Sequence, residues 1–300
     1  MPTDHGLTQS DHQAGFEVVD EHSDTLEEGT ALCLSGGGYR ATLFHVGVVL
    51  RLNELGLLHP IKRVSSVSGG SITAAVLGMQ WLKLDWSETD GKKYANKTAL
   101  QDLLVGPLRQ MAATTIDVSS IIWGSLNPWT WISDEVAERY NSILFHDRTL
   151  QDLPNDLAGE GPRFVINATN VKTGSLWRFS RPYIADYRVG MIENPDTSLA
   201  YAVTASSAFP PVLSPMRLKL DPSKFKPGIP ATTVDPALRQ EAILTDGGVY
   251  DNLGLETVWK RYKTILVSDA GRKMDDDLSP GTDWATHSRR LIDLLQLQNQ

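Results

Sequence analysis

The sequence predicts an α/β protein, a three-layer α/β/α sandwich with a mainly parallel central sheet and a helical cap insertion. Three observations predict it. Apolar runs of strand length stop at glycine-marked turns. Two of these turns open into stretches with helical period. The resulting strand–turn–helix order occurs twice in succession, as parallel strands with crossover helices require. Composition agrees, because 300 residues with 41% hydrophobic and 21% charged side chains can bury a core and do not describe a disordered chain.

Residues 1–28 are polar and acidic, follow neither period, and read as a loose N-terminal extension to a single domain spanning 29–300. They carry no apolar stretch after a basic start, so no secretion signal is expected. Thr30-Ala-Leu-Cys-Leu-Ser35 is a short apolar run stopped by glycines, as a buried parallel strand is. Ala41, Phe44, Val48, Leu52 and Leu55 then recur at helical spacing, and Gly56 closes the helix. Ile61–Val67 forms a second strand, and Ser68-Gly69-Gly70 turns the chain into a helix from Ser71 to about Leu84. The stretch from Asp85 to Pro154 holds no strong strand and reads as a cap inserted at about 85–154. Further strands are expected at Arg163–Ala168, Ser175–Phe179, Ile243–Thr245 and Thr264–Ser268. The helix-like stretch from Ser288 reaches Gln300 without a cap, as in a chain that continues.

Charge excludes several functions. Lys and Arg number 28 against 36 Asp and Glu, for a net charge of −8. Nucleic-acid binding, which rests on basic side chains meeting phosphates, is therefore not expected. A broadly polybasic membrane anchor is excluded as well, while a small peripheral membrane contact stays open. Cys33 is the single cysteine, so there is no disulfide framework and no cysteine-rich zinc site. A reducing cytoplasm is the easier compartment. No apolar run reaches transmembrane length, and no His/Asp/Glu cluster has metal-ligand spacing. Neither metal nor cofactor is expected.

The chemistry sits in the turns. Gly36-Gly37-Gly38-Tyr39-Arg40 joins a strand to a helix. Backbone N–H groups there can approach an anion without a Cβ in the way, and the helix N-terminus adds positive potential. An oxyanion and a phosphate both fit such a loop. A dinucleotide fold does not, because the second strand ends in serines where an acidic residue is needed, and no Lys-Ser/Thr follows for a nucleotide P-loop.

The second turn is Val64-Ser65-Ser66-Val67-Ser68-Gly69-Gly70-Ser71. A nucleophile elbow needs small residues two before and two after its serine. Ser68 has Ser66 and Gly70. Ser66 would have Val64 before it, and Ser71 would have Thr73 after it. A helix cap by one of these serines is the plainer alternative. In the third turn, Asp246-Gly247-Gly248, a carboxylate ends an apolar strand. Alone this is only a turn signal. Together the three turns place donors, nucleophile and base at the carboxyl edge of a parallel sheet, where such folds bind ligands.

Ser35-Gly-Gly-Gly-Tyr-Arg40, Ser66-Val-Ser-Gly-Gly70 and Asp246-Gly-Gly-Val-Tyr-Asp-Asn252 resemble the three motifs of the patatin-like phospholipases. The resemblance runs from about Ala31 to Gly271 and takes in Ala205-Ser-Ser-Ala-Phe-Pro-Pro211, similar to that family's Ala-rich helix ending at prolines. It implies a Ser-Asp dyad of Ser68 and Asp246, and an oxyanion loop of Gly36, Gly37 and Gly38. It places Arg40 at the family's basic position, where it either orients the loop or meets a lipid head group. The implied activity is hydrolysis of a phospholipid or other acyl lipid through an acyl-enzyme. Ser66 stands where that family has glycine, and Leu253-Gly254 where it often has proline.

An ordinary aspartate, with a pKa of about 3.9, is a feeble base at neutral pH. Asp246 must therefore be desolvated, or the oxyanion loop must supply most of the rate. Two readings compete: a Ser-Asp-His triad esterase on small soluble esters, with His287 following Ser68 and Asp246 in chain order, and a catalytically quiet lipid-binding effector. Trp123, Trp129 and Trp131 lie close together in the cap, either as its packing or as aromatics at a lipid interface.

Overall fold

The computed structural model describes residues 26–113, 132–210, 213–226 and 234–271, together with 276, 279, 281, 283, 286, 287, 290, 291 and 294. The expected extension, up to residue 25, and Trp123, Trp129 and Trp131 lie outside the described residues.

β1 (Glu27–Leu34) starts exposed and ends in buried residues. Its alternation sends Leu32 and Leu34 into the main core, while Ala31 and Cys33 meet Val258 and Tyr262 on the opposite face. α1 (Gly38–Glu54) packs Val46, Val49 and Leu52 onto the main core. β2 (Ile61–Val67) is buried except at Lys62 and feeds α2 (Gly69–Gln80), which is buried continuously from Gly69 to Gly78. Such a helix, apolar on every side, belongs to an interior and not to a surface.

The segment after α2 contains a hairpin, β3 (Trp86–Thr89) and β4 (Lys92–Ala95), where no strong strand was expected. Its signal was the dipeptide Asp90-Gly91. Both residues have positive φ, 51° and 71°, as the commonest two-residue hairpin turn demands. The strands are mostly exposed, so no hydrophobic alternation announced them. The short helix α3 (Lys97–Leu100) is capped by the Asn96 side chain, which accepts from the amides of Thr98 and Ala99. α4 (Gly106–Ala113) and α5 (Ile132–Tyr140) follow. Leu100, Leu108, Val136 and Tyr140 all join the main hydrophobic cluster, so these helices share the core with the sheet.

β5 (Arg163–Asn170), buried throughout, is followed by β6 (Ser175–Phe179), β7 (Tyr183–Asp186) and β8 (Gly190–Glu193). Then come α6 (Leu199–Ser206), β9 (Met216–Lys219), β10 (Glu241–Asp246) and β11 (Tyr262–Ser268). The nine-stranded sheet runs β11-β1-β2-β5-β6-β7-β8, with β10 pairing β5 and β9. Its central block, β11-β1-β2-β5, is parallel, and β6 to β8 extend it as antiparallel strands.

One expectation is corrected here. The third turn does not follow a parallel strand, because β10 runs antiparallel to β5. β2 accompanies β5 as far as the pair Val67–Asn167, and β10 takes up the ladder from the opposite direction at the pair Asp246–Ala168. Two strands therefore end toward each other along one partner. Strand direction is a long-range property that an apolar run of six residues does not encode.

Candidate active site

β2 delivers Ser68 to a sharp turn. Its φ of 51° and ψ of −120° lie where non-glycine residues are strained, the backbone that a strand-to-helix elbow imposes. Ser68 occupies the cap position of α2, yet its side chain makes no capping bond. The hydroxyl instead lies near enough to the carboxylate of Asp246 to lower its pKa. The glycines after it are required by neighbouring backbone. A Cβ on Gly69 would stand 2.2 Å from the carbonyl oxygen of Gly38, and one on Gly70 would stand 2.3 Å from that of Leu34. The elbow is thus pressed directly against the glycine loop.

Ser66 and Ser71, the neighbouring serines, are fully buried and committed elsewhere. Ser66 donates to the carbonyl of Val165 at 3.2 Å and accepts from Ser71 Oγ at 3.1 Å, while Ser71 Oγ also lies 2.9 Å from Ser206 Oγ. Among these serines only Ser68 meets a carboxylate.

Asp246 is 2% exposed at the end of β10. Its Oδ1 accepts the N–H of Gly248 at 2.7 Å, and the Ser68 hydroxyl is near enough to act on the carboxylate. Burial pushes its pKa up to about 6, against the lowering influence of the Gly248 N–H and the Ser68 hydroxyl. At neutral pH the group is mostly ionised and far more basic than an exposed aspartate. Gly247 must be glycine because a Cβ would stand 2.4 Å from the carbonyl oxygen of Asn167.

In the glycine loop the three residues divide. Gly36 is buried, and its N–H donates to the carbonyl of Asn252 at 3.0 Å. Its N–H is therefore already paired within the protein. A Cβ there would strike Asn252 Oδ1 at 2.3 Å and come within 3.3 Å of Ser68 Cβ. Gly37 and Gly38 are exposed, have φ of 137° and 64°, and offer N–H groups that meet no acceptor among the described residues. They stand at the N-terminus of α1, where the helix field favours negative charge. Arg40 is exposed and donates from Nη2 to the carbonyl of Ala270 at 3.0 Å, tying the loop to the segment after β11. Of its two expected roles, this contact favours orienting the loop.

Residues that sequence reasoning did not place also shape the site. Tyr140 of α5 lies within electrostatic reach of Tyr39 and Asp246, and its phenol is raised well above its ordinary pKa, chiefly by burial. His45, buried on α1, accepts from Ser268 Oγ at Nδ1 (2.8 Å) and donates from Nε2 to the carbonyl of Ser35 (2.9 Å). Nothing in the helical pattern around His45 marked it as more than packing.

Among the described residues no histidine bonds Asp246. His59 stacks edge-on against Trp86, and His287 is exposed. His5, His12 and His22 lie outside the described residues. Cys33 is buried, and desolvation pushes its thiol up to about 12, so it is inert. The described residues include no group of His, Cys, Asp and Glu able to hold a metal, and no helix long and apolar enough to cross a membrane.

A family model for patatin-like phospholipase matches residues 32–259. No curated protein matches the chain. Among solved structures the chain is similar to human GIVD cytosolic phospholipase A2, at 14% identity and a TM-score of 0.48, over 84% of this chain and 44% of that one. The same enzyme in complex with methyl γ-linolenyl fluorophosphonate matches at 19% identity and 0.42, over 64% and 31%. VipD from Legionella pneumophila matches at 18% and 0.35, over 76% and 47%. The chain spans less than half the length of each of these proteins.

Proposed function

The chain belongs to the patatin-like phospholipase family, and from that premise we propose that it is a lipid acyl hydrolase working through a Ser68–Asp246 dyad. The observation that carries this reading is the strained elbow serine set beside a buried carboxylate whose pKa is pushed up to about 6.

Asp246 takes the hydroxyl proton as Ser68 Oγ attacks the carbonyl carbon of a fatty-acyl ester. The charge that develops on the carbonyl oxygen is met by the N–H groups of Gly37 and Gly38, which are fixed before substrate arrives. Asp246 then returns the proton to the departing alcohol, leaving the acyl group on Ser68. A water, deprotonated by Asp246, attacks that ester, releases the fatty acid and restores the serine. A base of pKa about 6 leaves much of the barrier to the amide donors. Each such donor is worth roughly 10²–10³ in turnover. The substrate is a phospholipid or another acyl lipid, and the steps as written need no metal.

The test is a panel of phospholipids and neutral acyl lipids with mass-spectrometric detection of released fatty acid. The parent should release fatty acid and Ser68→Ala should not, while folding as the parent does. Activity that survives in Ser68→Ala and disappears in Ser66→Ala or Ser71→Ala would assign the wrong serine. A parent that binds acyl lipid without releasing fatty acid would make it a lipid-binding effector.

A further inference from the structure

The end of α6 touches both halves of the dyad. Ser206, its last residue, is fully buried. Its Oγ accepts the backbone N–H of Ser68 at 2.9 Å and donates to the carbonyl of Asn167 at 2.6 Å. Two residues later the carbonyl of Ala208 accepts the backbone N–H of Asp246 at 3.0 Å and the Thr245 hydroxyl at 2.9 Å. One short segment thus holds the nucleophile's backbone by a side chain and the base's backbone by a carbonyl.

The Ser206 bond is of unusual consequence because of where the elbow departs from the sheet. Val67–Asn167 is the last pair of the β2–β5 ladder. Past it the chain turns away, and the Ser68 N–H, at the cap position of α2, has no place in the helix's own bonding. The Ser206 hydroxyl bridges that amide to the Asn167 carbonyl, so a backbone in a strained conformation stays registered to the sheet. Ser71 Oγ, at 2.9 Å, supports the same hydroxyl from the first turn of α2.

Resting on the acyl-hydrolase reading, we propose that Ser206 is a positioning residue for Ser68, its hydroxyl fixing the elbow backbone so that Ser68 Oγ stays aimed at both Asp246 and the ester carbonyl. Ser206 touches neither substrate nor proton. Without it, Ser68 can shift by a fraction of an ångström. Misplacement by about 1 Å costs on the order of 10² in rate.

The experiment compares full-length parent, Ser206→Ala, Ser206→Cys and Ser206→Thr. Turnover of a short-chain p-nitrophenyl ester and the rate of covalent labelling by an alkyl fluorophosphonate are both measured, and a thermal melt confirms folding. Ser206→Cys keeps the volume with a weak acceptor, and serves if the alanine variant does not fold. The expected result is a fall of about 10- to 100-fold in kcat and in labelling rate for the alanine and cysteine variants. KM should stay within about twofold and the threonine variant should recover most of the rate, since the substrate site itself is untouched. Folded alanine or cysteine variants within twofold of the parent kcat would overturn the proposal, as would a folded threonine variant no better than alanine. A parent that neither turns over nor labels, like Ser68→Ala, overturns the acyl-hydrolase reading itself, and that outcome is distinct from the others.

Discussion

His45 and Ser35 are joined at 2.9 Å through imidazole Nε2 and the backbone carbonyl that immediately precedes the glycine loop. The ring's other nitrogen accepts from Ser268 at the end of β11, so one neutral side chain ties the loop to two strand ends. Burial lowers the histidine pKa, against the raising influence of the Ser35 carbonyl and of Asp269. We expect His45→Ala to cost about 1–3 kcal/mol in stability, the penalty of stranding buried polar partners. Its kcat should fall while the acid limb of the pH–rate profile stays in place. Denaturant melts and a pH series check both; a limb that moves would make His45 a titrating participant.

In the proposed dyad Asp246 sets that limb. As the base it works ionised, so kcat/KM should rise with pH through an apparent value near 6 and then level. Its folded pKa lies above the unfolded value of 3.8, so the protonated form is the one folding favours. The resulting stability is complete below the unfolded value and is lost as pH rises through about 6. Asp246→Asn should therefore be inactive yet raise the melting temperature at pH 7.5, and the gain should shrink toward pH 4. An asparagine variant that melts lower at neutral pH would contradict the desolvated carboxylate.

The glycine loop predicts a division of labour. Gly36→Ala would drive a Cβ into Asn252 and should damage folding first. Gly38→Ala meets open space, and its φ of 64° makes the substitution a matter of backbone strain of about 1–2 kcal/mol. Gly37→Ala and Gly38→Ala should lower kcat far more than they raise KM, because free amides at these positions act on transition-state charge. Steady-state kinetics on a soluble ester decide it. A raised KM with unchanged kcat would turn the loop into a ground-state binding feature.

Ser66→Gly restores the residue usual in the family and removes a hydroxyl that bonds Val165 and Ser71. We expect a loss of roughly 1 kcal/mol by denaturant melting, with turnover close to the parent. His287→Ala should keep nearly full activity, since that side chain is exposed. A loss of about 10³-fold there, the scale seen when a triad member is removed, would replace the dyad by a triad.

Local chemistry was legible and long-range direction was not. β2 and β6 occupy the expected spans Ile61–Val67 and Ser175–Phe179, because apolar runs closed by turn residues are local facts. Flanking small residues singled out Ser68 for the same reason. Asp246 was found by its glycines, but the antiparallel entry of β10 was not, since its direction depends on pairing with β5. Ser206 stood within Ala205-Ser-Ser-Ala208, a stretch noted for its likeness to the family. Its bond to Ser68 spans 138 positions of chain, which no residue spacing reveals. The Asp90-Gly91 hairpin was legible and went unread, its exposed strands giving no apolar alternation.

The meeting of β2 and β10 end to end along β5 has a temporal meaning during synthesis. A nascent chain that has emerged only through β5 holds a serine elbow with no carboxylate to draw its proton. The base arrives with β10, more than two thirds of the way along the sequence. Until that strand docks, the growing polypeptide lacks the proposed base, so hydrolysis through a Ser68–Asp246 dyad would wait for β10 to join the sheet.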